Sequence, residues 1–213
     1  MFISFEGIEG CGKSTQAQLL AGHLEENGIS TILTKEPGGS RLGLELRDIL
    51  LSMESTDLVP ETELFLYLAD RSQHVHTLIK PALSKEQAVI CDRFADSMIV
   101  YQGYARGLDI NLLIQLNQAA VQGVEPELTI LLDLPADEGL KRALSRNIQK
   151  KMTKSEGRFE AESLEFHEKT RKGYLEWAGI NQNRFHIIDA RKGVSEIHEN
   201  IVQQVKKVFF QKY

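Results

Sequence analysis

Cysteine is scarce in this chain, with only Cys11 and Cys91 among 213 residues. Two widely separated thiols make neither a disulfide framework nor a metal knuckle. Long hydrophobic runs are missing too: nothing approaches the ~18 consecutive apolar residues of a membrane-spanning helix, so the sequence predicts no membrane span. There is no basic excess. Lys and Arg number 25 against 30 Asp and Glu, for a formal net charge of −5, which argues against a generally basic nucleic-acid binder. An acidic residue as early as Glu6 does not suit a secretory leader. Together these absences predict a soluble cytoplasmic protein.

What is present is ordinary for a globular fold, with 42% hydrophobic and 26% charged residues. The length fits one domain over 1–213. Short, partly β-branched runs at Phe2–Phe5, Ser30–Thr34, Ala88–Cys91, Leu128–Leu132 and Phe185–Ile188 read as strands. Helical spacing separates them at about 14–27, 41–52, 61–84, 108–123, 136–147, 160–178 and 194–210. This alternation predicts an α/β, three-layer, doubly wound parallel sheet of about five strands. One stretch breaks the pattern. Ser145–Arg158 has no apolar period and carries Arg146, Lys150, Lys151, Lys154 and Arg158 against the single acid Glu156. It reads either as a solvated loop or as a lid insert (about 145–158) that closes on an anion.

Directly after the first strand, Gly7-Ile8-Glu9-Gly10-Cys11-Gly12-Lys13-Ser14-Thr15 fits the phosphate-loop pattern G-x-x-x-x-G-K-[ST]. Glycines let backbone N–H groups turn inward around phosphate oxygens, and a lysine can bridge the β- and γ-phosphates of a nucleotide. A serine hydroxyl can ligate Mg²⁺, and the following helix aims its positive end at the anion. A glycine-rich turn without a ligand is the bland alternative; the strand-to-helix position argues against it. The third strand ends in Asp92-Arg93. Asp92 suits the metal-linked carboxylate of such folds, although a strand-end Asp can also cap a turn. Arg93 suits bidentate grip on a second phosphate.

Apart from Lys13 the phosphate loop holds no cation, so further positive charge has to arrive from outside it. The basic 145–158 segment is the concentrated source, with Arg142 and Arg146 spaced i,i+4 on the helix leading into it. Arg146 and then Arg158 are the candidates for supplying charge to a transferring phosphoryl group. Tyr67 and Arg71 lie four apart on one helix and can face one pocket, although Arg71 could equally sit in a structural ion pair. His74 and His76 point to different faces and make a poor metal pair. His23, His167, His186 and His198 read as surface or packed histidines, Trp177 as core, and the two cysteines as small buried residues.

Taken in order, these motifs resemble the bacterial thymidylate kinases, a family of P-loop nucleoside monophosphate kinases, nearly end to end. The resemblance rests on FEGIEGCGKST (5–15), KEPGGSRLG (35–43), LRDILL (46–51), LFLYLADRSQH (64–74), DRFADSMIVYQGYARGL (92–108), PELTILLDLPADEGLKRA (126–143) and GRFEAESLEFHEKTRKGYLEWA (157–178). It implies transfer of the ATP γ-phosphoryl group to dTMP with Mg²⁺ held at Ser14 and Asp92, in a homodimer. It also implies ATP contacts from residues 7–15, Arg142 and Arg191, and dTMP contacts from Glu9, Glu36, Pro37, Arg47, Tyr67, Arg71, Arg93, Ser97 and Tyr101. Lys13, Arg93, Arg146 and Arg158 would do the catalytic work. The chain departs from the family pattern at Tyr67, where phenylalanine is common, and at Met98, often polar. Gly157 stands where Asp usually precedes the arginine, in a lid a few residues longer than in short relatives. A kinase for another nucleotide (UMP, CMP or AMP) and a P-loop ATPase switch without an acceptor are the alternatives.

Overall fold

The structure is a computed structural model describing residues 1–151 and 153–210. Five parallel strands, β1 (Phe2–Glu6), β2 (Thr31–Lys35), β3 (Ala88–Asp92), β4 (Leu128–Asp133) and β5 (Phe185–Asp189), form one sheet in the order β2-β3-β1-β4-β5. All five expected strands are there. β1 is central and wholly buried because helices cover both faces; apolar residues dominate it, β3 and β4, and its polar Ser4 and Glu6 are buried on hydrogen bonds. Ile3, Phe5, Ile90, Ile130 and Leu132 anchor the core. The chain leaves β1 toward β2 on one side and places β4 on the other, so the carboxyl end of β1 is the switch point where α/β sheets open a crevice.

The helices are α1 (Lys13–Glu26), α2 (Arg41–Leu51), α3 (Pro60–His74), α4 (Lys80–Ser84), α5 (Ala95–Met98), α6 (Ile110–Val121), α7 (Ala136–Gln149), α8 (Thr153–Glu156), α9 (Leu164–Ile180) and α10 (Val194–Phe209). Side chains of Ser40, Asp109 and Ser163 cap α2, α6 and α9. α1 instead starts at Gly12 in a left-handed conformation (φ 98°), so no side chain occupies its first N–H groups.

Three elements differ from the sequence expectation. The helix expected over 61–84 is interrupted by a π-type stretch, Val75–Ile79. A second one, Ile99–Ala105, follows α5 where no helix was expected; such wider turns often mark functional sites. The 145–158 segment is not a uniform loop: Ser145–Gln149 finish α7 and α8 adds one turn. Among the described residues, no helix is long and apolar enough to cross a membrane.

Candidate active site

The phosphate loop is shaped by what it packs against. Gly10 has a left-handed φ of 73°, and a Cβ there would sit 2.1 Å from the carbonyl of Gly139 in α7. Gly139 is equally constrained, since its Cβ would meet the Glu9 carbonyl at 2.6 Å. The loop and the first turns of α7 thus touch backbone to backbone, which only glycine permits. Within the loop, Lys13 Nζ donates to the carbonyls of Gly7 (3.0 Å) and Ile8 (2.7 Å), and Ser14 donates to Asp92. That pair, a hydroxyl and a carboxylate, is a hard oxygen donor set of the kind Mg²⁺ takes when phosphates supply its other ligands. Among the described residues no group of three or more His, Cys, Asp or Glu is placed to hold a metal ion.

Beside the loop, Arg93 adopts a positive φ of 72°. That sparsely populated conformation turns its side chain toward the loop immediately after Asp92, and such strain in a non-glycine residue collects at functional sites. Its guanidinium donates to the Gly7 carbonyl (3.0 Å), Glu9 (2.9 Å), Tyr101 (3.0 Å), Tyr174 (3.1 Å) and Ser97 (3.3 Å). Despite its burial, the Glu9 carboxyl is held well below the usual carboxylate range by Arg93, with His167 and Lys13 adding to the effect, and Tyr101 donates to it at 2.5 Å. Beneath them, Glu6 accepts from the Phe94 amide (2.8 Å), Ser97 (2.6 Å) and Tyr174 (2.9 Å), while burial pushes its carboxyl up to about 7.

A cavity of about 320 Å³ opens over this floor. Of the residues expected from sequence, it gathers Glu9, Gly10, Lys13, Ser14, Glu36, Pro37, Arg47, Tyr67, Arg71, Asp92, Arg93, Ser97, Tyr101 and Arg146. Met98 lines it too, its sulfur 3.7 Å from Arg71. Four arginines of the lining each pair with a glutamate. Arg93 pairs with Glu9, Arg71 with Glu36 (2.8 Å), Arg47 with Glu156 (2.9 Å) and Arg146 with Glu160 (3.0 Å).

Other expected residues lie elsewhere. Arg158, expected beside Arg146 over the cavity, is instead 7% exposed and turned into the interior, bonded to Glu63 (2.6 Å) and the Leu50 carbonyl (3.0 Å). The reason is Glu63, a fully buried carboxylate on α3 that collects Arg158, Arg106 and Gln102. Arg142 and Arg146 do not act on one target: Arg142 reaches the Ala190 carbonyl (3.3 Å) beyond β5, near Arg191, which pairs with Asp189. Ile8 and Cys11 are core residues, Gly12 and Thr15 are exposed, and Gly7 contributes its carbonyl. Arg71 does sit in an ion pair as well as in the lining. Its remaining donors go to Asn117 (2.8 Å) and the Phe94 carbonyl (3.2 Å).

Sequence reasoning missed Lys35, Phe159 and Glu160, which also line the cavity, while Lys150 and Glu156 of the expected lid segment reach it without having been given a role. It missed Asp70, whose carboxylate accepts from the Gly38 amide (3.1 Å) and is pushed up to about 6 by burial and Glu36. His167, read as a surface or packed histidine, faces Glu9 instead. Only the +4 spacing of Asp70 and His74 on α3 hinted at a shared polar face. Trp177, read as core, is half-buried and bonds Asp96 (2.7 Å).

Comparison with known proteins places this site in context. A family model described as thymidylate kinase matches residues 5–201. A thymidylate kinase of Oleidesulfovibrio alaskensis is 57% identical over 98% of this chain and 99% of its own length. One from Maridesulfovibrio salexigens is also 57% identical, over 96% of this chain and 94% of its own. The crystal structure of thymidylate kinase from Ehrlichia chaffeensis superposes with a TM-score of 0.75 at 33% identity, covering 96% of this chain and 98% of that one.

Proposed function

The chain belongs to the thymidylate kinase family, and from that premise we propose that it transfers the γ-phosphoryl group of ATP to dTMP, giving dTDP and ADP, at the cavity over the phosphate loop. The observation that carries the reading is the shared floor of this cavity: Lys13, Ser14, Asp92 and Arg93 meet beneath it, with three further arginines on its walls. A site for one phosphate needs far less cation; a site that brings two anionic nucleotides together needs this much.

The acceptor is a phosphate monoester whose second pKa is ~6, so at neutral pH it is mostly doubly ionised and needs no general base. One of its oxygens bonds the γ-phosphorus while the bond to the β,γ-bridging oxygen breaks, and ADP leaves with that electron pair. The obstacle is repulsion between anions held in line, and positioned cations reduce it. In this proposal Lys13 and the α1 N-terminus hold the donor phosphates, and Arg47 and Arg93 hold the acceptor phosphate. Tyr67 lies against thymine with Arg71 and Met98 at the base edge, and Tyr101 crowds the sugar. Ser14 and Asp92 would hold Mg²⁺, which neutralises donor phosphate charge. Arg146 approaches from the segment after α7, and that segment excludes water that would otherwise hydrolyse ATP.

The exposed apolar side chains of Leu44, Ile49, Phe65 and Leu112, on α3 and on the helices α2 and α6 that pack against it, favour a homodimer as part of the same proposal. Sedimentation at the mass of one chain would remove that part. The activity is tested by ADP release with dTMP, dUMP, UMP and CMP as acceptors. dTMP should be the best acceptor, and a preference for UMP or CMP would assign the chain to another nucleotide.

A further inference from the structure

Glu9 is a carboxylate beside an anion-binding cavity, a position that has to be held with care. Its Oε1 accepts from Tyr101 and Arg93. Among the described residues its Oε2 is buried without a hydrogen bond of good geometry, yet His167 Nδ1 stands 3.3 Å away. His167 itself is 1% exposed, and among the described residues its other ring nitrogen is buried without a hydrogen bond of good geometry. An imidazole in this place is not explained by packing, since a buried ring with polar atoms loses free energy where an apolar side chain would not.

Its charge environment points in one direction. His167 lies in the first turn of α9, whose positive end disfavours imidazolium. Against that stand Glu9 from the phosphate loop, Glu160 from the segment before α9, and the Phe159 backbone carbonyl. Arg93 pairs with the other oxygen of Glu9 at 2.9 Å, and the charge of Lys13 also favours its ionised form. Despite burial, the ring's affinity for its proton is raised by Glu9.

We propose that His167 is a positioning residue for phosphoryl transfer: it takes the second oxygen of Glu9 and so keeps the first on Arg93 and Tyr101, with Arg93 aimed at the acceptor phosphate. The proposal rests on the reading of this cavity as the dTMP phosphorylation site. Without the imidazole, Oε2 seeks a cation, and the nearest is Arg93. The carboxylate then takes both its oxygens to the guanidinium that the acceptor needs. The loss therefore falls on dTMP and spares ATP.

The test is steady-state kinetics of His167→Phe and His167→Gln with ATP saturating, between about pH 6 and 9. His167→Phe should raise KM for dTMP ~10-fold and leave KM for ATP within about twofold, as expected for a small misplacement of a binding group. His167→Gln keeps a donor without a titrating proton. It should restore dTMP affinity to the level the wild-type enzyme keeps at the alkaline end, where the neutral imidazole is also an uncharged donor, and show no rise in KM across the range. Thermal melts establish that the variants are folded; if His167→Phe does not fold, the pH profile of His167→Gln decides alone. Wild-type kinetics in the folded variants, or a His167→Gln profile that keeps the wild-type alkaline rise, would overturn the proposal. So would equal impairment of both variants. A wild-type enzyme that turns over another acceptor but not dTMP would instead overturn the reading on which it rests, and the proposal with it.

Discussion

Each cavity arginine faces a glutamate, so the cationic wall is built with its own counter-charges. That arrangement keeps four guanidinium groups from repelling one another, whereas Lys13, among the described residues, bonds to neutral acceptors, the Gly7 and Ile8 carbonyls and the Cys11 sulfur. Its substitution therefore breaks no ion pair. Lys13→Ala should lower kcat by ~10²–10³-fold, the usual loss for one preorganised charge donor, with a melting temperature close to wild type. Near-normal turnover in the folded variant would remove the phosphate loop from the mechanism. Glu6, in the floor, makes the opposite kind of prediction, about stability. Its folded carboxyl is raised from 4.5 to about 7, chiefly by burial, with Asp96 adding to the effect. The folded protein thus holds a proton that the unfolded chain has already released. This stabilisation is full below pH 4.5 and is lost as pH rises through about 7. Glu6→Gln should flatten the fall of denaturant-unfolding free energy across that interval; an unchanged slope would show that Glu6 is not its source.

At the scale of elements, the basic segment between α7 and α9 divides its arginines between two tasks. Arg146 is half-exposed at the cavity and pairs with Glu160, whereas Arg158 is buried on Glu63 and ties the segment to α3. Arg146→Ala should cost ~10²-fold in turnover, less than an isolated arginine finger. Arg146→Lys should recover little, because lysine lacks the planar fork. Arg158→Ala should instead lower stability, by less than the ~3–5 kcal/mol of a buried charge left wholly unpaired, because Arg106 and Gln102 stay on Glu63. Parallel activity and melting measurements on the three variants separate the tasks; a stable Arg158→Ala protein with ~10²-fold slower turnover would put it beside Arg146 after all. None of this division was readable from the sequence. Arg146 and Arg158 carry the same charge in one non-periodic stretch, and only the fold brings the buried Glu63 under one of them.

Across the whole molecule, what was legible followed from local rules. Five strands stood out because a doubly covered sheet demands short apolar runs, and the phosphate loop because glycines and a lysine must sit at fixed spacing between strand and helix. The π-type stretches did not, since their wider turns break the helical period that a reader looks for. The left-handed Arg93 and the contacts of Arg47 with Glu156, and of Glu9 with His167, join residues far apart in the chain or depend on backbone angles. Composition and spacing carry no record of either. In the proposed function the whole assembly of loop, arginine wall and the segment after α7 moves a phosphoryl group between nucleotides and shields it from water. The direct measurement follows the label of [γ-³²P]ATP in the presence and absence of dTMP. The account predicts that label appears in dTDP, depends on dTMP, and reaches inorganic phosphate only slowly. Label released as inorganic phosphate at the same rate with or without dTMP would contradict it.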